Sequence, residues 1–183
     1  MKNDNSINNI NCLDEKVALE LKRKAESKIN PGCCIDRFCT SKKSLLNQSR
    51  DLYKQSAEIY KNCLQWRKAG DCYEKCAIIK LNLKESPVDA YKEAIFCYQN
   101  VNSDVNLKIV FFKMINYLEA KGEIYEIAKN YEELGDYYAN KDNKNEAKYF
   151  YEEAIKYFQK EPNYENDKIN LKKKIKKIDF IVI

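Results

Sequence analysis

EIYEIAKNYEELGDYYANKDNKNEAKYFYEEAIKYFQK, residues 123–160, reads as one complete helical hairpin. In its first half Ile127, Ala128, Tyr131, Leu134, Gly135 and Tyr138 recur three and four apart, which places apolar or small side chains on one face of a helix. Ala147, Phe150, Tyr151, Ala154, Ile155 and Phe158 repeat the plan in the second half. Between them, Asn140-Lys141-Asp142-Asn143 is polar and continues neither stripe, so it reads as the turn. Small residues where the helices cross let the backbones approach, and aromatic rings fill the flanks.

The same grammar extends upstream. Leu52, Tyr53, Ser56, Ala57, Ile59 and Tyr60 form one stripe, and Trp66, Ala69, Gly70, Tyr73, Cys76, Ala77 and Leu81 form the next. Ala90, Tyr91, Ala94, Ile95 and Tyr98 then precede Leu107, Val110, Phe111, Met114, Ile115 and Leu118. Hairpins recurring at roughly 34 to 45 residues are the mark of helical repeat arrays. Helices are predicted over 11–28, 44–62, 65–83, 87–100, 104–121, 124–140, 144–160 and 166–179, with Ser86 as a cap and Pro87 at a first helical position. With 4 Gly and 3 Pro in 183 residues, an all-β chain rich in tight turns is excluded. The expected fold is all-α, a tetratricopeptide-like right-handed array of antiparallel helical hairpins. Residues 1–10 are expected to form a disordered amino terminus and 11–183 a single repeat domain.

Composition narrows the function. There is no His, which removes the commonest general base and the usual zinc nitrogen ligand. No glycine-rich phosphate loop, G-x-S-x-G turn or EF-hand ladder occurs, so no enzyme and no cofactor are expected. Cys33, Cys34 and Cys39 lack a convincing fourth ligand, and no metal is expected. Cys63, Cys72, Cys76 and Cys97 fall on or beside core stripes and read as reduced, buried thiols. Pairs such as Glu132 with Glu133 read as solvated outer surface. No apolar run approaches the length of a membrane span, and the polar amino terminus is unlike a secretory signal, so a cytoplasmic location is expected. A net charge of +5, without aromatic platforms interleaved in the basic run, argues against nucleic acid.

Ala25-Glu26, Tyr60-Lys61, Trp66-x-x-Ala69-Gly70, Lys121-Gly122, Ala128-Lys129 and Tyr149-x-Tyr151-Glu152 occur in this order. In that series the chain resembles the amino-terminal two thirds of the alpha-type soluble attachment proteins for the N-ethylmaleimide-sensitive fusion ATPase. The resemblance implies a non-catalytic adaptor: several copies wrap a four-helix SNARE bundle and recruit the hexameric ATPase that unwinds it after membrane fusion. Because the SNARE bundle is acidic over much of its surface, the adaptor must offer a basic face. Lys129, Lys168 and Lys172 match family positions that face the bundle, and Lys168 and Lys172, one turn apart, project from one side of the last helix. Glu123 and Leu64 stand where the family pattern has basic residues. The family's carboxyl-terminal bundle, which engages the ATPase, is expected to be absent from this sequence, either as a truncation or as a divergent short form, and engagement of the ATPase is expected to be weakened or lost if that end is truly missing.

Residues 30–41 break the helical pattern. In the family this loop dips into the membrane, which implies peripheral association with vesicle or organelle membranes. Ile35 and Phe38 keep the apolar character, Arg37, Lys42 and Lys43 favour anionic lipid, and Cys33, Cys34 and Cys39 offer thiols for acylation. Cys33, Cys34, Ile35 and Phe38 are the candidate membrane loop. The competing reading is a general tetratricopeptide-like peptide-binding scaffold or co-chaperone, with Lys129, Asn130 and Lys148 holding a terminal carboxylate.

Overall fold

The computed structural model describes residues 4–29, 41–160 and 162–180. Within them lie eight α-helices and no strand: α1 (Asp4–Ile29), α2 (Lys42–Asn62), α3 (Trp66–Asn82), α4 (Val88–Asn100), α5 (Asp104–Lys121), α6 (Ile124–Asn140), α7 (Lys144–Phe158) and α8 (Glu165–Phe180), the last preceded by a 3-10 turn, Pro162–Tyr164. α1 to α4 pack in succession as antiparallel neighbours, and so do α6 to α8. The α5 and α6 boundaries coincide with those read from periodicity. α1 differs most: it begins at Asp4 instead of at 11. Pro87 is itself the cap of α4, so the helix starts one residue later than expected.

One device ends five of these helices. Leu64, Lys84, Asn102, Gly122 and Asp142 all have φ between 51° and 73°. After each, the next amide reaches back to the carbonyl of the last turn: Gln65 to Tyr60 at 2.8 Å, Glu85 to Lys80 at 2.8 Å, Ser103 to Tyr98 at 3.0 Å, Glu123 to Leu118 at 3.1 Å and Asn143 to Tyr138 at 2.9 Å. A left-handed residue with this bond closes orphan carbonyls and reverses the chain at once. Ser41 and Asn143 then cap α2 and α7 by accepting from the amides of Ser44 and Glu146.

The helices group into two compact units, Met1–Met114 and Ile115–Ile183, with the boundary inside α5. In the first, Ser49 and Ser56 on α2 are buried and donate to the carbonyls of Ala25 and Ala18 on α1, at 2.9 and 2.7 Å. Seven-residue spacing on both helices keeps these bonds in register. Gly70 of α3 lies under the Tyr98 ring of α4, whose hydroxyl donates to Asp71 at 2.8 Å. Tyr60 is buried, while Trp66 is half-buried and meets Phe96 edge-on at 5.9 Å. Cys63, Cys72, Cys76 and Cys97 are buried, as the stripes indicate. Burial pushes the thiols of Cys76 and Cys97 up to about 12.

The second unit repeats the crossing. Gly135 of α6 lies under Tyr151 of α7, and the Tyr151 hydroxyl donates to Asp136 at 2.6 Å. Ala128, Ala147 and Ala154 are fully buried beside it, and Tyr138 stacks on Phe150 at 5.4 Å. α8 packs on α7 and inserts Leu171, which is also fully buried.

Candidate functional site

Lys129 sits on α6 one position after the buried Ala128, at the edge of the hairpin's apolar stripe. Its ammonium donates to Glu132 on its own helix and to Asp167 on α8, both at 2.9 Å, and lies over the rings of Tyr125 and Phe158 at 5.8 and 5.6 Å. A third of the side chain stays exposed. Lys174 reciprocates from α8, donating to Glu132 at 2.8 Å and to both Asp136 oxygens at 2.8 and 2.9 Å. Two cations and three carboxylates therefore tie α6 to α8.

Burial alone would lower the pKa of Lys129 and of Lys174, but their bonds to Glu132 and to Asp167 or Asp136 outweigh it and hold both above the ordinary lysine range. For Glu132, burial acts upward, and the bonds from Lys174 and Lys129 prevail and keep the carboxyl below its ordinary value of 4.5. The reading of Glu132 as solvated surface is thus corrected: its side chain is only 16% exposed and paired twice, while Glu133 is exposed.

Asp167, Leu171 and Lys174 recur four and three apart and form the docking side of α8. Lys168, Lys172, Lys173, Lys176 and Lys177 occupy roughly the opposite half of the circumference, with Ile169 exposed among them. Lys168 is 13% exposed and pairs with Glu165 at 2.5 Å; Lys172, Lys173, Lys176 and Lys177 are exposed. Lys129 reaches Asp167, the chain neighbour of Lys168, while Lys168 itself pairs with Glu165, and Lys172 stands one turn further along α8.

A sequence model of the soluble NSF attachment proteins, SNAP, matches residues 16–179. The chain belongs to this family. Among curated proteins, none matches it. Family membership carries an adaptor role in trafficking that involves SNAREs and the NSF ATPase, and a non-catalytic one. The all-helical hairpin series described above is the scaffold for that role. Among the described residues no helix is long and apolar enough to cross a membrane.

Sequence reasoning named Lys129 but missed the groups that hold it. Asp167 lies 38 residues away, beyond any local pattern. The available signal was on α8 itself, where Asp167 and Lys174 share a stripe with Leu171, since charges on a core-facing stripe need partners. The three groups considered for a carboxylate clamp are engaged within the chain: Lys129 as above, Asn130 with the Glu126 carbonyl at 2.7 Å, and Lys148 with Asp179 at 3.5 Å. An open groove of about 710 Å³ in the first unit runs beside α2, α3 and α4, and two of its four cations, Arg50 and Lys80, pair with Glu85 and Asp89. Cys33, Cys34, Ile35, Phe38 and Cys39 lie outside the described residues.

Proposed function

We propose that this chain is a non-catalytic adaptor that seats the outer face of α8 on the acidic surface of an assembled SNARE four-helix bundle and recruits the hexameric fusion ATPase for its disassembly. The observation that carries the reading is the arc of Lys172, Lys173, Lys176 and Lys177, exposed opposite the side by which α8 is docked, with the largely covered Lys168 at its edge. Like-signed charges gathered on one face of a docked helix raise the encounter rate with an acidic partner and set its orientation. Lys172 supplies the contact most directly, because it is exposed and matches the family pattern. Lys168 contributes with its ammonium shared with Glu165.

Lys172→Glu combined with Lys176→Glu tests this face. Both side chains are exposed, so the melting temperature is expected to stay within a degree or so, while affinity for a preassembled SNARE bundle falls by about tenfold or more. Unchanged affinity would contradict the assignment of α8.

The loop containing Cys33, Cys34, Ile35 and Phe38 is the proposed membrane contact. Full burial of Ile35 and Phe38 in a bilayer is worth roughly 1.5 to 3 kcal/mol each, enough to assist an adaptor held by other contacts. Replacing both with Ser is expected to reduce binding to anionic liposomes without lowering thermal stability. A lowered melting temperature with liposome binding unchanged would mark an ordinary interhelical loop.

A further inference from the structure

We propose that Lys129 is a positioning residue that holds α8 in place for the SNARE bundle, and not a group that touches the bundle itself. The inference rests on the adaptor reading above and assigns a different role to one of its three lysines. Its basis is geometric. The Lys129 ammonium donates at 2.9 Å to Asp167, across 38 residues of sequence, and at 2.9 Å to Glu132. The rings of Tyr125 and Phe158 flank the same nitrogen. Lys174 makes the mirror-image connection from α8 to Glu132 and Asp136. To meet an acidic partner, Lys129 would have to release Asp167 and leave two carboxylates near the incoming anionic surface, which like-charge repulsion opposes. Left in place, it fixes the rotation of α8 about its own axis. With Asp167 pinned to α6 and Leu171 buried, Lys172, Lys173, Lys176 and Lys177 are turned outward together.

The two roles make opposite predictions for Asp167→Asn. If Lys129 contacts the bundle, removing Asp167 frees its ammonium and deletes a negative charge, so affinity for a preassembled SNARE bundle rises or holds. If Lys129 positions α8, the same substitution loosens the helix: affinity falls severalfold, and amide protection across 165–180 falls with it. The exchange Lys129→Asp with Asp167→Lys rebuilds the pair in reverse and is expected to restore affinity to within about threefold of the wild type, whereas Lys129→Asp alone does not. Undiminished affinity in Asp167→Asn, or an exchange variant that binds no better than Lys129→Asp, overturns the positioning role while leaving the adaptor reading intact. No binding by the unmodified chain overturns the adaptor reading and this role with it.

Discussion

Gly135 and Gly70 show how single positions set the distance between helices. A Cβ built on Gly135 would stand 2.5 Å from the Tyr151 ring, and one on Gly70 would stand 2.8 Å from Tyr98. Each ring is also anchored by its hydroxyl to the neighbouring aspartate, so it cannot swing aside freely. Gly135→Ala is therefore expected to destabilise the fold by about 1 to 3 kcal/mol in chemical denaturation, despite alanine's better helix propensity. A gain in stability would show that the ring gives way. Leu64 presents the converse case, with φ 59° and the residue 69% exposed. A left-handed leucine is strained by roughly 1 to 2 kcal/mol, so Leu64→Gly is expected to stabilise the chain in the same assay, by less than that after glycine's extra entropy loss. The buried thiols give a third check. Cys72, Cys76 and Cys97 are at most 3% exposed, and burial raises all three. Site-resolved alkylation should find them labelled only as the protein unfolds. Rapid labelling of the native state would contradict their burial. At this scale the sequence was readable where a small residue broke an aromatic stripe, as at Gly135. Leu64 and Lys84 were not readable as left-handed turn residues, because their types rarely take that conformation.

Helices were legible because a core-facing side repeats every three to four residues, and that pattern persists through α2 to α7. The docking of α8 was not legible. Its core-facing side holds Leu171 between two charged residues, so the periodicity that reveals α6 fades, and the run of lysines reads as an all-round solvated surface. The burial of Leu171 and the cross-helix pairs with Lys129, Glu132 and Asp136 distinguish its inner side from its outer one. These pairs make the element sensitive to acid. Glu132 has a folded pKa below its ordinary 4.5, so its contribution to stability is fully present above that value and is lost as the pH falls through the folded value. The stability difference between the wild type and Glu132→Gln is accordingly expected to be level near neutrality and to shrink once the pH drops below 4.5. A difference that widened in acid would contradict the pairing.

On the scale of the whole chain, a net charge of +5 understates the asymmetry that matters. Many lysines are neutralised locally by carboxylates, including Lys61 with Glu93, Lys80 with Asp89 and Lys113 with Glu74, whereas α8 displays exposed lysines in consecutive turns. Association of such a face with an acidic helical bundle is an electrostatic event, and salt opposes it. Binding of the unmodified chain to a preassembled SNARE four-helix bundle, titrated across ionic strength, tests that account most directly. Raising salt from about 0.1 to about 1 M shortens the Debye length from about 10 to about 3 Å, and affinity is expected to fall steadily over that range. The slope should be reduced in the variant carrying Lys172→Glu and Lys176→Glu. Tight binding that is indifferent to salt, or no binding at the low-salt end, would contradict the proposal that the basic face of α8 carries the interaction.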